Sequence, residues 1–121
     1  MKHPTVLLTA TKGDVATALS RFGYDILTAS DGTEALALLQ ANRSIGVLVA
    51  DVDRGGLTLA REARAIRPDL GVVYTAMAPH RVPETVRVSG APILRAPFAT
   101  HQLAGVIGGL GRRILDDPLA A

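Results

Sequence analysis

The stretch VLVADVDRGG holds the residue types best placed to do chemistry. An apolar run ends in a carboxylate, Asp51, and a second carboxylate, Asp53, precedes Arg54, Gly55 and Gly56, which lead into a helical pattern. The carboxylate of Asp51 is either a group that the fold presents for chemistry or an acid that ends a strand. Glycine amides and an arginine before a helix are typical of an anion-binding loop. The same glycines are also expected in a tight loop that needs positive φ, so both interpretations stay open.

The composition predicts one domain with an aliphatic core. A chain of 121 residues is near the common size of a domain, and we expect a single domain over residues 1–121. Apolar residues make up 48% of the chain but aromatic residues only 3%, which favours aliphatic side chains packed between a parallel sheet and its helices. The absence of cysteine excludes a disulfide framework, a thiolate metal site and a cysteine nucleophile.

The charge and the hydropathy of the chain argue against a nucleic-acid partner and against a membrane partner. The formal net charge is +2, without a dense basic cluster or interleaved aromatic residues, which argues against a nucleic-acid partner. The N-terminus lacks the pattern of a signal peptide, and no apolar run approaches the roughly 20 residues of a membrane span. We therefore expect a cytoplasmic protein with no membrane partner. The 3 histidines are not at metal-ligand spacing, and we expect them on the surface.

Five strand-like apolar runs alternate with helical patterns along the chain. The predicted strands are Thr5 to Ala10, Tyr24 to Ala29, Ile45 to Ala50, Leu70 to Ala76 and the run APILRA. This alternation predicts βαβ units with right-handed crossovers, and therefore an open, doubly wound α/β sheet of parallel strands. In such sheets ligand chemistry gathers beyond the carboxyl ends of the strands, which are residues 9–12, 51–55, 75–77 and 95–97.

Apolar residues at helical spacing predict the inward faces of the helices. They are Val15, Ala18, Leu19 and Phe22 in the first helix, Ala35, Leu36 and Leu39 in the second, Leu59, Ala63 and Ile66 in the third, and Leu103, Val106, Ile107 and Leu110 in the last. We expect Arg61 and Arg64 to face away from the core. Either Ser30 or Asp31 is expected to cap the second helix. Two prolines limit the fourth helical stretch to a short helix after Pro83.

Four segments resemble the receiver domain of two-component response regulators, in the order and spacing of that family. They are GYDILTASDGTEALALL, the strand that ends in Asp51, LAREARAIRPDLGVVYTA and ILRAPFATHQL, and the match runs over nearly the whole chain. The resemblance implies a flavodoxin-like fold, a five-stranded doubly wound parallel sheet with strand order 2-1-3-4-5. It also implies a role in signal transduction through protein contacts, not that of an enzyme.

The resemblance implies a defined phosphotransfer chemistry. In the family, a histidine kinase or a small phosphodonor passes a phosphoryl group to the aspartate that ends the third strand, which here is Asp51. A threonine or serine at the end of the fourth strand, here Thr75, hydrogen-bonds the phosphoryl oxygens. A Mg²⁺ held by that aspartate and by an acidic pair after the first strand offsets the charge, as does a lysine before the proline of the fifth-strand segment. Phosphoryl transfer depends on such positioning and charge neutralisation.

This sequence departs from the family at the groups that handle charge. The acidic pair falls on Ala10 and Thr11, and the lysine position is Ala96, with Arg95 one residue earlier and therefore on the opposite face of a strand. The aromatic switch position of the family is Ile93. Because Mg²⁺ usually needs one or two carboxylates, we expect no metal ligand and no cofactor, although Mg²⁺ stays open if other oxygens replace the acidic pair.

Two elements that border the same pocket are shorter than the family norm. The segment between the first strand and the GY pair lacks about one helical turn, and DVDRGGLTLA lacks the usual Met-Pro stretch, a loss of about the same length. Asp53 could offer a substitute metal ligand. Asp14 is interpreted as an acid of the first turn of the first helix, where it interacts favourably with the helix dipole.

Three functions are consistent with these residues. The first is a stand-alone pseudo-receiver with impaired or absent Mg²⁺-dependent phosphorylation, in which Asp51 caps the third helix or pairs with Arg54 or Arg95. The second is a working response regulator that is phosphorylated on Asp51. The third is a sensor of an anion or a small molecule, bound by a loop of Asp53, Arg54, Gly55 and Gly56 together with Arg95.

The resemblance implies that the partners are proteins, either a histidine kinase or a downstream signalling protein. The family uses the surface formed by the fourth helix, the fifth strand and the last helix for dimers and partners, so we expect the output of this chain there. The glycine-rich last helix, THQLAGVIGGLGRRIL, would permit close helix contact in a homodimer.

Overall fold

The computed structural model describes residues 5–9 and 13–116, and the side chains of these residues apart from 13–14 and 111–116. The strands are β1 (Thr5–Thr9), β2 (Ile26–Ala29), β3 (Ile45–Asp51), β4 (Gly71–Ala76) and β5 (Ile93–Arg95). The α-helices are α1 (Gly13–Ser20), α2 (Gly32–Ala41), α3 (Gly56–Ile66) and α4 (Thr100–Asp116). Short 3₁₀ turns cover Val52–Arg54, Pro79–Arg81 and Glu84–Val86.

The five strands form one parallel sheet with the order β2-β1-β3-β4-β5. This arrangement confirms the predicted α/β fold and its strand order. The central strands are long apolar runs because helices cover both of their faces, and all six residues of β4 are buried. Ala10, the last residue of the first predicted strand, lies outside the described residues.

Two apolar clusters, one on each face of the sheet, make up the described core. Alternate residues of β3 enter opposite clusters: Leu48 packs with residues of α2 and α3, whereas Val49 packs with residues of α1 and α4. Since successive side chains of a strand point to opposite faces, this division shows that helices cover both sides of the sheet. In the described part of the chain, no helix combines the length and the apolar character that crossing a membrane requires.

The second helix is capped by one of its two predicted candidates. Asp31 has an extended backbone, and its Oδ1 accepts a hydrogen bond from the backbone N–H of Glu34 at 2.8 Å. The Ser30 hydroxyl instead donates to the carboxylate of Glu34 at 3.1 Å. Asp31 is therefore the N-cap, and Ser30 only supports the first turn.

The short helix predicted after Pro83 is present only as a 3₁₀ turn. Residues 77–92, which we call the β4–β5 segment, contain two three-residue 3₁₀ turns instead. Pro79, Pro83 and Pro92 lack the backbone N–H that a helix needs, and the residue before a proline is driven towards extended backbone. The second 3₁₀ turn does start directly after Pro83, as the short helix was expected to do.

In the first and third helices, the last residue of the predicted inward face is exposed. Phe22 is 47% exposed because α1 ends at Ser20 and Phe22 lies in the turn that follows, so helical periodicity no longer directs it at the sheet. Ile66 is 39% exposed and is the last residue of α3, whose buried stripe ends at Ala63. The next residue, Arg67, reaches back to the sheet, and its guanidinium donates to the carbonyl of Ile45 at 2.8 Å.

Arg64 does not face solvent as predicted. Its side chain is half-buried, and its guanidinium donates to the carbonyl of Leu70 at 2.5 Å and to that of Ser89 at 2.9 Å. The arginine thus joins α3 to the start of β4 and to the far end of the β4–β5 segment. Its long aliphatic stem allows the charged end to reach these carbonyls from a helix face that periodicity assigns to solvent.

Candidate functional site

Asp51 and Thr75 lie side by side at the carboxyl edge of the sheet. Asp51 is the last residue of β3, and its register partner on β4 is Thr75. Asp51 is half-buried, whereas Thr75 is only 4% exposed. The register of the two parallel strands brings these predicted site residues together, since paired residues point to the same face of the sheet.

Arg95 and Ala96 lie at the carboxyl end of β5, the strand next to β4. Arg95 pairs with Ala76 on β4, is exposed, and is the last residue of β5. The N–H of Ala96 donates to the carbonyl of Ala76 at 2.9 Å, and the peptide bond between Ala96 and Pro97 is cis. The family's lysine position is thus held by a methyl group at the edge of the site.

The carboxylate of Asp51 is bound within its own loop. Its Oδ1 accepts a hydrogen bond from the N–H of Asp53 at 3.0 Å and so caps the 3₁₀ turn Val52–Arg54. The prediction that Asp51 caps the third helix is therefore wrong, because the N-cap of α3 is Gly55, which has no capping side chain. The carboxylate of Asp51 instead binds the N–H of Asp53 in the 3₁₀ turn that separates the strand from that helix.

The alternative prediction, an ion pair from Asp51 to Arg54 or Arg95, is also wrong. Both arginines are exposed, and within the described part of the chain the ion pair that forms is Arg67 with Asp69, at 3.6 Å. An exposed arginine loses side-chain entropy when it is held in one geometry, and this cost offsets the small gain of a surface ion pair.

Asp53 bridges two loops at the site, a contact that sequence reasoning missed. Its Oδ2 accepts a hydrogen bond from the N–H of Met77, just beyond β4, at 2.9 Å, although the two residues are 24 positions apart. No local sequence signal marks this pairing. It depends on β3 and β4 being neighbours in the sheet, which brings the loops after them into contact.

The two glycines of the loop have backbone reasons to be glycine. Gly55 has φ +81°, a left-handed conformation that strains other residues. A Cβ on Gly56 would lie 2.5 Å from the carbonyl oxygen of Asp51, so the backbone of the loop occupies that space. These contacts support the tight-loop interpretation. The two carboxylates of the loop, Asp51 and Asp53, place negative charge beside the amides that an anion would need.

The described residues do not fit a receiver-type Mg²⁺ site. The acidic pair that the receiver resemblance implies falls on Ala10 and Thr11, which carry no carboxylate and lie outside the described residues. Among the described side chains, no group of three or more acids or histidines is placed to hold a metal ion. Asp51 and Asp53 each have one carboxylate oxygen bound to a backbone N–H. Asp51 and Asp53 are thus the described carboxylates at this edge of the sheet, and the acidic pair that the receiver resemblance implies for Mg²⁺ does not stand beside them. The side chain of Asp14 also lies outside the described residues.

A groove of about 510 Å³ lies away from this site, on the β4–β5 segment. It is lined by Glu84, Arg87, Val88, Ser89, Gly90, Ala91 and Pro92. The described histidines, His80 and His101, are exposed, as predicted.

Comparison with known proteins identifies the fold. No protein-family model and no curated protein matches this sequence. A response regulator receiver protein from Sinorhizobium medicae WSM419 is 26% identical, with a TM-score of 0.69 over 89% of this chain and 94% of that chain. This chain has the fold of a response regulator receiver domain.

Two further solved structures agree with the receiver fold. A response regulator receiver domain protein from Clostridium thermocellum is 24% identical, with a TM-score of 0.76 over 93% of this chain and 98% of that chain. NtrX from Brucella abortus is 26% identical, with a TM-score of 0.72, and the match covers 94% of this chain but 29% of that one. The receiver resemblance inferred from four sequence segments is thereby confirmed.

Proposed function

We propose that this chain is a pseudo-receiver domain of two-component signalling, which acts through protein contacts without Mg²⁺-dependent phosphorylation. The observation that carries the proposal is the set of groups around Asp51. One oxygen of its carboxylate binds the backbone of its own loop, and a methyl group at Ala96 stands at the lysine position. Ala10 and Thr11 stand at the positions of the acidic pair.

The physical reason is the charge of phosphoryl transfer. The transferring group carries negative charge that a metal ion and a cationic side chain must offset. The loss of one group that stabilises a transition-state charge costs about 3 kcal/mol, or roughly a hundredfold in rate. This site lacks the lysine and both members of the acidic pair, so we expect phosphorylation to be slower by several orders of magnitude than in a complete site.

One observation favours a second candidate, a working phosphoacceptor. Asp51 and Thr75 are register partners. The resemblance implies that Asp51 accepts the phosphoryl group and that Thr75 hydrogen-bonds its oxygens. The third candidate, an anion sensor, has less support, because Asp51 and Asp53 put two carboxylates beside the loop amides.

Intact-mass measurement after incubation with acetyl phosphate and Mg²⁺ separates the first two candidates. We expect no phosphate adduct on the wild-type chain. A variant that combines Ala10→Asp, Thr11→Asp and Ala96→Lys restores the family's charged groups, and we expect it to gain an adduct. Asp51→Asn in that background is the matched control and should abolish the adduct. A wild-type adduct that disappears in Asp51→Asn would overturn the pseudo-receiver proposal in favour of a phosphorylated response regulator.

We infer that the partners are proteins in the cytoplasm, such as a histidine kinase or a downstream signalling protein, and that the chain turns over no substrate. The surface we assign to them comprises the β4–β5 segment, β5 and α4. Within the described part of α4, Gly105 and Gly109 have open space where a Cβ would lie, which supports close approach of a second helix. Light scattering over a range of protein concentrations tests the homodimer; a constant monomer mass would leave only a different protein as the partner.

A further inference from the structure

Two hydrogen bonds in series join Asp51 to the β4–β5 segment. The Oδ1 of Asp51 accepts from the N–H of Asp53, and the Oδ2 of Asp53 accepts from the N–H of Met77. We call this pair of bonds the carboxylate brace. It starts at the predicted phosphoacceptor and ends at the first residue of the segment that replaces the fourth helix.

The far end of the β4–β5 segment has two other anchors, one from the buried strand β4 and one from a half-buried arginine of α3. The hydroxyl of Tyr74, a fully buried residue of β4, accepts from the N–H of Val88 at 3.0 Å. The guanidinium of Arg64 holds the carbonyl of Ser89 and, at the same time, that of Leu70. A buried side chain in a close-packed core has little freedom to move, so Tyr74 is the rigid anchor of the far end, and Arg64 adds a second, half-buried one.

The near end is held differently. Asp53 is exposed and belongs to a 3₁₀ turn, and Met77 is 67% exposed. An exposed hydrogen bond between two loops opens at lower free energy than contacts in the core. The carboxylate brace is therefore the contact through which a change at Asp51 reaches the segment most directly.

We propose that Asp53 is a positioning residue that couples the carboxylate of Asp51 to the conformation of the β4–β5 segment. Asp53 supplies an internal carboxylate to the N–H of Met77 and so holds the near end of the segment. A partner that draws the carboxylate of Asp51 away from the N–H of Asp53 releases Met77 and loosens the segment. The signalling role of the carboxylate brace rests on the proposed function, but the two hydrogen bonds that form the brace do not.

Amide hydrogen exchange, resolved by NMR on the full chain, tests the brace without a partner or a phosphodonor. We expect Asp53→Ala to speed exchange at Met77 by on the order of tenfold, with smaller increases in the rest of the segment, because a hydrogen bond to a charged acceptor is lost. Asp53→Asn keeps an oxygen acceptor and should restore most of the protection. Asp25→Ala is the matched control, since Asp25 is also exposed and its carboxylate accepts no hydrogen bond from a described residue.

A second variant tests the coupling itself. Asp51 does not touch Met77, yet Asp51→Ala removes the acceptor that holds the N–H of Asp53, so we expect exchange at Met77 to rise several-fold. The proposal is overturned if Asp53→Ala leaves exchange at Met77 unchanged, if Asp51→Ala has no effect there, or if either variant speeds exchange equally throughout the sheet. These outcomes are independent of the phosphodonor experiment: a phosphorylated wild-type chain would refute the pseudo-receiver function and leave the brace intact.

Discussion

Gly56→Ala should strongly destabilise this protein, although it adds a single methyl group. The new Cβ would lie 2.5 Å from the carbonyl oxygen of Asp51, 2.6 Å from its carbonyl carbon and 2.9 Å from that of Ala50. All three atoms belong to the backbone at the end of β3, so no side chain can rotate away. The strand end or the start of α3 must therefore shift.

The loss in the free energy of unfolding depends on whether backbone or side-chain atoms must move. Overpacking in a well-packed site costs about 1 to 3 kcal/mol, and a clash with backbone belongs at the upper end, about 3 kcal/mol. Two other glycines calibrate this value. Gly55→Ala meets no atom but keeps a φ of +81°, which costs about 1 kcal/mol. Gly105→Ala lies in an exposed, open position of α4 and should gain up to about 1 kcal/mol from helix propensity.

Urea denaturation followed by circular dichroism measures the free energy of unfolding of the wild type and the three variants. We expect the order Gly105→Ala, wild type, Gly55→Ala, Gly56→Ala, from most to least stable, with unchanged m values. The reasoning is refuted if Gly56→Ala unfolds within about 0.5 kcal/mol of the wild type, a difference typical of surface substitutions. It is also refuted if Gly55→Ala is the more damaging of the two loop variants.

Two further predictions concern single hydrogen bonds. Asp31→Ala should lower the free energy of unfolding by about 1 kcal/mol, because the N–H of Glu34 loses its cap. Ser30→Ala should lower it by less than about 0.5 kcal/mol, because an exposed side-chain contact contributes little. Urea denaturation compares the two variants. Tyr74→Phe keeps the buried ring but removes the acceptor of the Val88 N–H, which should cost about 1 kcal/mol and speed exchange of that amide, with no change at Met77. Equal exchange at Val88 in wild type and Tyr74→Phe would contradict this role.

The fold was predictable because its signals are local. The run from Ile45 is continuous in apolar character, as a strand buried on both faces must be, and the structure extends it by one residue, to Asp51. The sheet class follows from the alternation of such runs with helical patterns. The errors in the predicted inward faces of the helices lie where the helical periodicity ends. Phe22 lies beyond the end of α1, and Ile66 is the last residue of α3, beyond its last buried residue, Ala63.

The fourth helix shows how strongly proline acts on such predictions. The prolines predicted a short helix, and the structure has two 3₁₀ turns. What holds this segment in place was invisible in the sequence. Tyr74 and Arg64 reach it from β4 and α3, and they are separated from their partners by 14 and 25 residues. Neither residue carries a local signal, because both look like ordinary members of a strand and a helix.

The sequence by itself determined that Asp51 stands at the tip of a central parallel strand, and that the charged helpers of a receiver are missing from positions 10, 11 and 96. The first fact depends on residue identity and local periodicity, whereas the missing helpers are what the resemblance to the receiver family implies. The tertiary structure alone decided what the carboxylates do. Asp51 caps a 3₁₀ turn, Asp53 holds Met77, and the backbone at Asp51 fills the space beside Gly56. These contacts depend on how the ends of neighbouring strands are placed in space, which no local pattern encodes.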